Sequence, residues 1–249
     1  MTGPGARNRK PRDLHGLRAR VTALRLRDPG REQLERARAI LLSFLDAAIA
    51  QGAGFDETLR ALKSGAIART AAATELQRIT AAPPEPLTRA ACRAGCAFCC
   101  LLPGRDGGLI LEVEARGLHA SLQPLIGQAD GQSWHRDACP VLDPETRMCR
   151  AYDARPMLCR GYFSVDAAAC EDNAAGKPTP GAAMLGAQGV MLAVQSLARA
   201  ACDGLVRVPS YSLKALARAT LNGATLPDAL RASRHTPRML DDERSRLSG

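Results

Sequence analysis

Aromatic side chains are nearly missing from this 249-residue chain, in which four Phe, three Tyr and one Trp make up 3% of the residues. A core with so few rings has to be filled by Ala, Leu and Val. Helices pack such side chains most readily, so a strand-rich fold is not expected. The same scarcity argues against a single-strand nucleic-acid binder, which needs several exposed rings on one platform. Lysine is also rare, with only Lys10, Lys63, Lys177 and Lys214 against 30 Arg, a bias we read as genomic composition. Long apolar runs are missing too. The least polar stretch, Gly181 to Cys202, is broken by Gln188, Gln195 and Arg199, which makes it a poor membrane span. Arg7, Arg9, Lys10 and Arg12 are not followed by an apolar secretory segment of about 7–15 residues, and we find no lipid-anchor or sorting motif. A cytosolic protein without a transmembrane segment is expected. We find no internal repeat longer than a heptad, no glycine-rich phosphate loop and no serine nucleophile elbow.

The net charge of +9 suggests nucleic acid until it is located. Residues 1–27 hold eight Arg or Lys against Asp13 alone, which leaves the remainder at only +2. Basicity therefore belongs to an arm, and no specific nucleic-acid partner is expected. A hydrophobic share of 46% and a charged share of 24% are ordinary for a globular protein.

Five regions follow from the patterning. Residues 1–27 form a basic, partly disordered arm in which Leu14, Leu17, Val21 and Leu24 share one helical face. Such an arm usually docks on its own domain, with an anionic membrane or a partner as the other options. Residues 28–82 are a helical N-terminal region. Asp28–Pro29 starts a helix whose stripe is Leu34, Ala37, Leu41, Phe44, Leu45 and Ala48, Asp56 caps a shorter one, and a third runs from Ile67 to Ile79. Residues 83–87 are a proline-rich linker. Residues 88–172 are rich in Cys, Gly and Pro, with one clear helix from Leu109 to about Leu122 and few residues for a conventional core. Residues 173–249 return to helices at Ala182–Ala201, Ser212–Leu221 and Pro227–Ser233 before a charged tail. The expected fold is mainly α, with a small loop-rich, cysteine-rich, metal-bound module between helical N- and C-terminal extensions. The helical regions are the natural surface for a protein partner.

What the chain does have is nine cysteines. In a reducing compartment these point to metal or redox chemistry rather than bridges. Cys92, Cys96, Cys99 and Cys100 lie within nine residues, a density that packing does not require, because a structural core cysteine occurs singly. The neighbours Cys99 and Cys100 cannot easily face one ion, so they are expected to serve two ions or two halves of one cluster. Cys139, Cys149, Cys159 and Cys170 follow, three of them at turn signals. Eight thiols make two sets of four, and two interleaved tetrathiolate sites leave none over. Divalent ions in such sites would carry a net charge of about −2 each, which directs attention to Arg155 and Arg160 around Cys159, to Arg89, Arg93 and Arg150, and to the Tyr152 hydroxyl. Cys202 reads as a core cysteine. His15, His119, His135 and His235 are scattered, and only His135, near Cys139, invites a test. Glu112 and Glu114 stand on different helix faces and read as surface or first-turn charges.

The runs CRAGCAFCC at 92–100, CPVLD at 139–143 and CRAYDARPMLCR at 149–160 resemble the YkgJ-type cysteine-cluster family, a zinc- or iron-chelating domain. The resemblance covers roughly residues 88–172 and implies metal binding by eight cysteines, with zinc, iron or an iron–sulfur cluster as the cofactor. The first gap, three residues between Cys92 and Cys96, departs from the two that the family often shows. Two roles are open: a structural or interaction module, or a redox protein. An enzyme is the alternative, because Cys92, Cys96 and Cys99 with Phe98 also match the three-cysteine motif of radical S-adenosylmethionine enzymes, and some proteins with this domain are described as flagellin lysine methylases. That motif normally follows the first strand of a βα barrel, and nothing after Cys100 reads as repeating βα units.

Overall fold

The computed structural model describes residues 10–26, 31–101 and 106–247. The chain opens with α1 (Leu14–Ala23), capped by the Asp13 carboxylate, which accepts a hydrogen bond from the Gly16 amide at 2.7 Å. Then come α2 (Arg31–Ala50), α3 (Phe55–Ser64) and α4 (Ala66–Ala81). The expected Asp28–Pro29 start of α2 lies outside the described residues. Gly54, not Asp56, is the N-cap of α3, and Asp56 instead sits in its first turn, where a carboxylate favours the positive end of the helix dipole. Gly65 joins α3 to α4 with φ 78°. A Cβ there would stand 2.7 Å from the Leu111 side chain, so the position needs glycine both for its backbone and for its space.

The proline run is not featureless, since one helical turn, α5 (Glu85–Thr88), forms within it. After a 3-10 turn at Phe98–Cys100 come β1 (Leu109–Ile110) and α6 (Glu112–Leu122). The helix expected from Leu109 thus starts three residues later, because Leu109 and Ile110 pair as a strand. Next are α7 (Met157–Arg160), β2 (Tyr162–Ser164) and α8 (Ala167–Ala174). β3 (Ala182–Met184) precedes α9 (Ala187–Ala201), so the long helix read from Ala182 also begins late. The chain ends with β4 (Tyr211–Ser212), α10 (Leu213–Leu221), α11 (Leu226–Ala232) and α12 (Met239–Leu247). The last of these corrects the expected charged tail: Leu240 is buried and α12 packs on α9, with Arg199 bonding Asp241 at 2.5 Å. Among the described residues β1 pairs antiparallel with β4 and β2 with β3, each a two-stranded ribbon. The mainly helical fold is as expected.

Two apolar clusters hold the molecule. The first surrounds α9, which is buried on nearly every face and is enclosed by α1, α2, α3, α4 and α12. A helix that is apolar all round belongs in the middle of such a packing. Ala68 and Ala72 of α4 and Ala193 and Ala198 of α9 are buried in it, and such short side chains allow close helix approach without rings. α1 docks here through Leu17 and Val21, with the Arg38 guanidinium bonding the carbonyls of Val21 and Leu24. The arm's helix therefore lies on its own domain. Cys202 closes the cluster as a buried core cysteine, its thiol pushed up to about 12 by burial. The second cluster combines Ala97, Ile110, Leu118, Leu122, Val141 and Leu142 with Leu213, Leu216 and Leu221 of α10 and Leu230 of α11. The cysteine-rich segment thus has more core than its own composition offers, because helices from the C-terminal region complete it. No helix among the described residues is long and apolar enough to cross a membrane.

Candidate metal centre

The 3-10 turn at Phe98–Cys100 is the pivot of the site. Cys99 and Cys100 occupy successive positions of this turn, and their thiols share a hydrogen bond. On one side, the Cys139 amide donates to the Cys100 carbonyl at 2.8 Å, and Leu101 bridges Ala138. The chain then turns at Asp143, whose carboxylate accepts hydrogen bonds from the Thr146 amide and hydroxyl at 2.8 Å each. It returns with Cys149 bridged to Leu142. On the other side, the Ala91 amide donates to the Ser164 carbonyl at 2.7 Å, the Cys92 Sγ lies 4.0 Å from that oxygen, and α8, which carries Cys170, packs against the pivot. Gly95, with φ 76°, makes the bend between Cys92 and Cys96.

The thiols also act on one another electrostatically across this turn. Cys100 is raised by the hydrogen bond it shares with Cys99 and by burial, and further by the charges of Cys139 and Cys159. Cys159 is raised well above the usual thiol range by burial and by Cys139, Cys149 and Cys99. Burial pushes Cys139 up to about 12, with Cys149 adding to the rise. Cys170 is raised by burial and by Cys96, Cys99 and Cys92, against a hydrogen bond from Ser164. Cys92, Cys96 and Cys99 thus act on Cys170, Cys139 and Cys159 act on Cys100, and Cys99 reaches both Cys100 and Cys159. Cys99 is the exception in direction, since the hydrogen bond from Cys100 lowers it to about 7. Among the described residues no three Cys, His, Asp or Glu side chains stand at ligating distance of a common point. The thiols are grouped but not drawn together.

The cationic surroundings differ from residue to residue. The Arg155 charge favours the thiolates of both Cys99 and Cys149. Its guanidinium lies 3.6 Å from the centre of the Tyr152 ring, and Tyr152 is itself 58% exposed, so Tyr152 acts as a stacking surface for Arg155. Arg160 bonds the carbonyls of Asp153 and Arg155, stapling the loop before α7. Arg150, beside Cys149, keeps Nε and Nη2 buried without hydrogen-bond partners, while its Nη1 reaches Gln128 at 3.4 Å. Arg89 is engaged with Glu85. His135 is exposed and accepts a hydrogen bond from the Asp137 amide at 3.1 Å, away from ligand duty.

Sequence reasoning missed Glu114. Both Glu112 and Glu114 are in the first turn of α6, as expected, but neither is at the surface. Glu114 accepts hydrogen bonds from the Leu111 amide at 3.0 Å and the Met157 amide at 2.7 Å, with Arg69 of α4 at 3.5 Å. Burial raises its carboxyl above the ordinary range, against those amides and Arg69. It fixes the start of α7, and with it Cys159, to the helical bundle. The one signal for this in the sequence was its position three residues after a helix N-cap.

The donor set fits a thiophilic cation. Cys139 and Cys170 are buried, Cys96, Cys100, Cys149 and Cys159 partly so, and Cys92 and Cys99 are exposed; raised thiols are the groups that a divalent ion deprotonates on binding, and the unpartnered nitrogens of Arg150 suit the anionic centre that results. The donor set thus defines a cysteine-rich module whose thiols suit a thiophilic metal. Residues 91–177 match the CxxCxxCC family model, described as "Putative zinc- or iron-chelating domain". No curated protein and no solved structure matches the chain significantly.

Proposed function

We propose that residues 88–172 bind two metal ions, zinc or iron, one through Cys92, Cys96, Cys99 and Cys170 and the other through Cys100, Cys139, Cys149 and Cys159. The observation that carries this is the backbone arrangement at the Phe98–Cys100 turn, with the Cys139 segment paired to the Cys100 carbonyl and α8, which carries Cys170, packed against the turn. The match of residues 91–177 to a model described as a zinc- or iron-chelating domain supports the metal class. Four thiolates per ion close the coordination shell and leave no position for a substrate. With zinc the module is structural and presents its helices to a protein partner. With iron it is an electron-transfer centre tuned by Arg150, Arg155 and backbone donors around sulfur. Ligation draws the thiols inward and releases their protons to solvent.

The test is elemental analysis with a visible spectrum on protein purified without oxygen. Two colourless zinc ions per chain support the structural role. Iron with acid-labile sulfide and a shoulder near ~400 nm supports the redox role. Protein that is folded at residues 88–172 and carries neither metal overturns the proposal.

A further inference from the structure

Away from the thiols, three residues distant in sequence meet in one hydrogen-bonded chain. His235 Nε2 lies 2.5 Å from Asp106 Oδ1, and His235 Nδ1 lies 3.3 Å from Ser210 Oγ. With the imidazole proton on Nε2, donated to Asp106, Nδ1 is free to accept the serine hydroxyl proton. The three are held by backbone as well as by side chains. The His235 amide donates to the Ser210 carbonyl at 2.9 Å, Tyr211 bridges Arg234, and the Ser212 amide donates to the Ser233 carbonyl at 2.8 Å, so base and nucleophile face each other across a short ladder. The Asp106 carbonyl accepts from the Ser212 hydroxyl at 2.6 Å and the Lys214 amide at 3.1 Å. Ser210 is 6% exposed and the His235 side chain 8%, while the Asp106 side chain is 32% exposed, so the serine–histidine end of the relay is shielded from water.

Ser210 and His235 also line a cavity of about 360 Å³ whose walls include Leu205, Val206, Pro209 and Arg207. A serine, a base that accepts its proton, and a carboxylate that orients the base, opening on a mostly apolar cavity, is the arrangement nucleophilic acyl transfer requires. Here Asp106 sits on Nε2 and Ser210 on Nδ1, the reverse of the familiar serine-hydrolase pattern. The relay needs only that one nitrogen donates while the other accepts.

We propose that Ser210, His235 and Asp106 form a second site, a nucleophile–base–carboxylate relay that hydrolyses short-chain carboxylic esters. Ser210 Oγ attacks the ester carbonyl carbon as His235 Nδ1 takes the hydroxyl proton. The carbon–oxygen bond to the alcohol then breaks, and the alcohol leaves with that proton. Water adds to the acyl-serine, gives a proton to Nδ1, and the acid departs as Ser210 recovers its hydroxyl. The sum is ester plus water to acid plus alcohol. Asp106 is a positioning residue that holds the imidazole in the required tautomer.

The experiment treats the full-length protein with diisopropyl fluorophosphate and locates the adduct by peptide mass spectrometry, alongside turnover of p-nitrophenyl acetate. The expected result is one adduct on Ser210, with turnover lost in Ser210→Ala and reduced about 10²-fold or more in Asp106→Asn. Ser210→Ala deletes only a hydroxyl, so an unchanged circular-dichroism spectrum shows that lost turnover is not lost fold. An adduct on another residue, no adduct at all, or turnover that survives Ser210→Ala overturns the proposal and leaves the three residues as a tie between the loop at Asp106 and the segment after α11.

Discussion

The bundle around α9 and the module around the Phe98–Cys100 turn solve the problem of a ring-poor sequence in opposite ways. In the bundle, Leu41, Leu45, Leu62, Leu192 and Leu197 are buried against closely approaching alanines, and stability comes from apolar area removed from water. In the module the backbone is mostly turns, its apolar residues are shared with α10 and α11, and its densest feature is a set of thiols that destabilise one another's charge. Bundle stability should thus be indifferent to metal, while the module should depend on it. Glu114 is the main polar joint between them.

The largest effect expected is on the module. Cys99→Ser with Cys100→Ser removes one donor from each group and should abolish metal loading by elemental analysis, where structural thiolate sites are worth roughly 10–16 kcal/mol. Far-UV circular dichroism should still report the bundle helices, and Cys202→Ser should keep full metal content. Retained stoichiometry in the double variant would end the two-group assignment. In the bundle, Leu192→Ala should cost about 2–5 kcal/mol in denaturant unfolding, the range for a fully buried leucine, with metal content per folded chain unchanged. If loading fell with it, the two regions would not be separable.

Much of this contrast could be read in advance. The stripe on α2 and the capped helix α10 were visible because a helix buries one face and its period appears in the sequence. The density of thiols at 92–100 was visible as well. That Cys170 lies against this turn was not, because it comes there only through the packing of α8 on the pivot, a contact with no sequence periodicity. The burial of Glu114 depends on Met157, 43 residues away. The charged tail reads as solvated because Asp241, Asp242 and Glu243 follow Leu240, and only its packing on α9, with Leu240 buried and Asp241 on Arg199, accounts for the helix. Asp106, Ser210 and His235 are too far apart in sequence for any local motif to join them.

Smaller effects sharpen the comparison at the joints. Glu114→Gln keeps the size but turns an amide group toward one of two amide donors, and the unsatisfied donor should cost about 1–3 kcal/mol. If the joint works as described, the variant should also separate one melting transition into two. Gly65→Ala forces a left-handed residue against Leu111 and should cost about 1–3 kcal/mol, seen as a lower bundle melting temperature. The smallest effect is electrostatic. Hydrogen bonds from Arg78 and Arg36 hold the Glu75 carboxyl at about 2, below its ordinary 4.5. A carboxyl lowered in the folded state contributes stability that is present above 4.5 and lost as pH falls through about 2. Both arginines are largely in solvent, so Glu75→Gln should flatten that acid limb by less than about 1 kcal/mol; an unchanged limb would mean the pair is only geometric.

The Cys99–Cys100 peptide bond is also a mechanical yoke. Because the two sulfurs leave adjacent carbons of one tight turn, neither group can be ordered without setting the orientation of the other. Filling one site therefore lowers the entropic cost of filling its neighbour. Titrated with metal and sprayed intact into a mass spectrometer, the population should pass from empty chains to doubly loaded ones, with the singly loaded species scarce throughout.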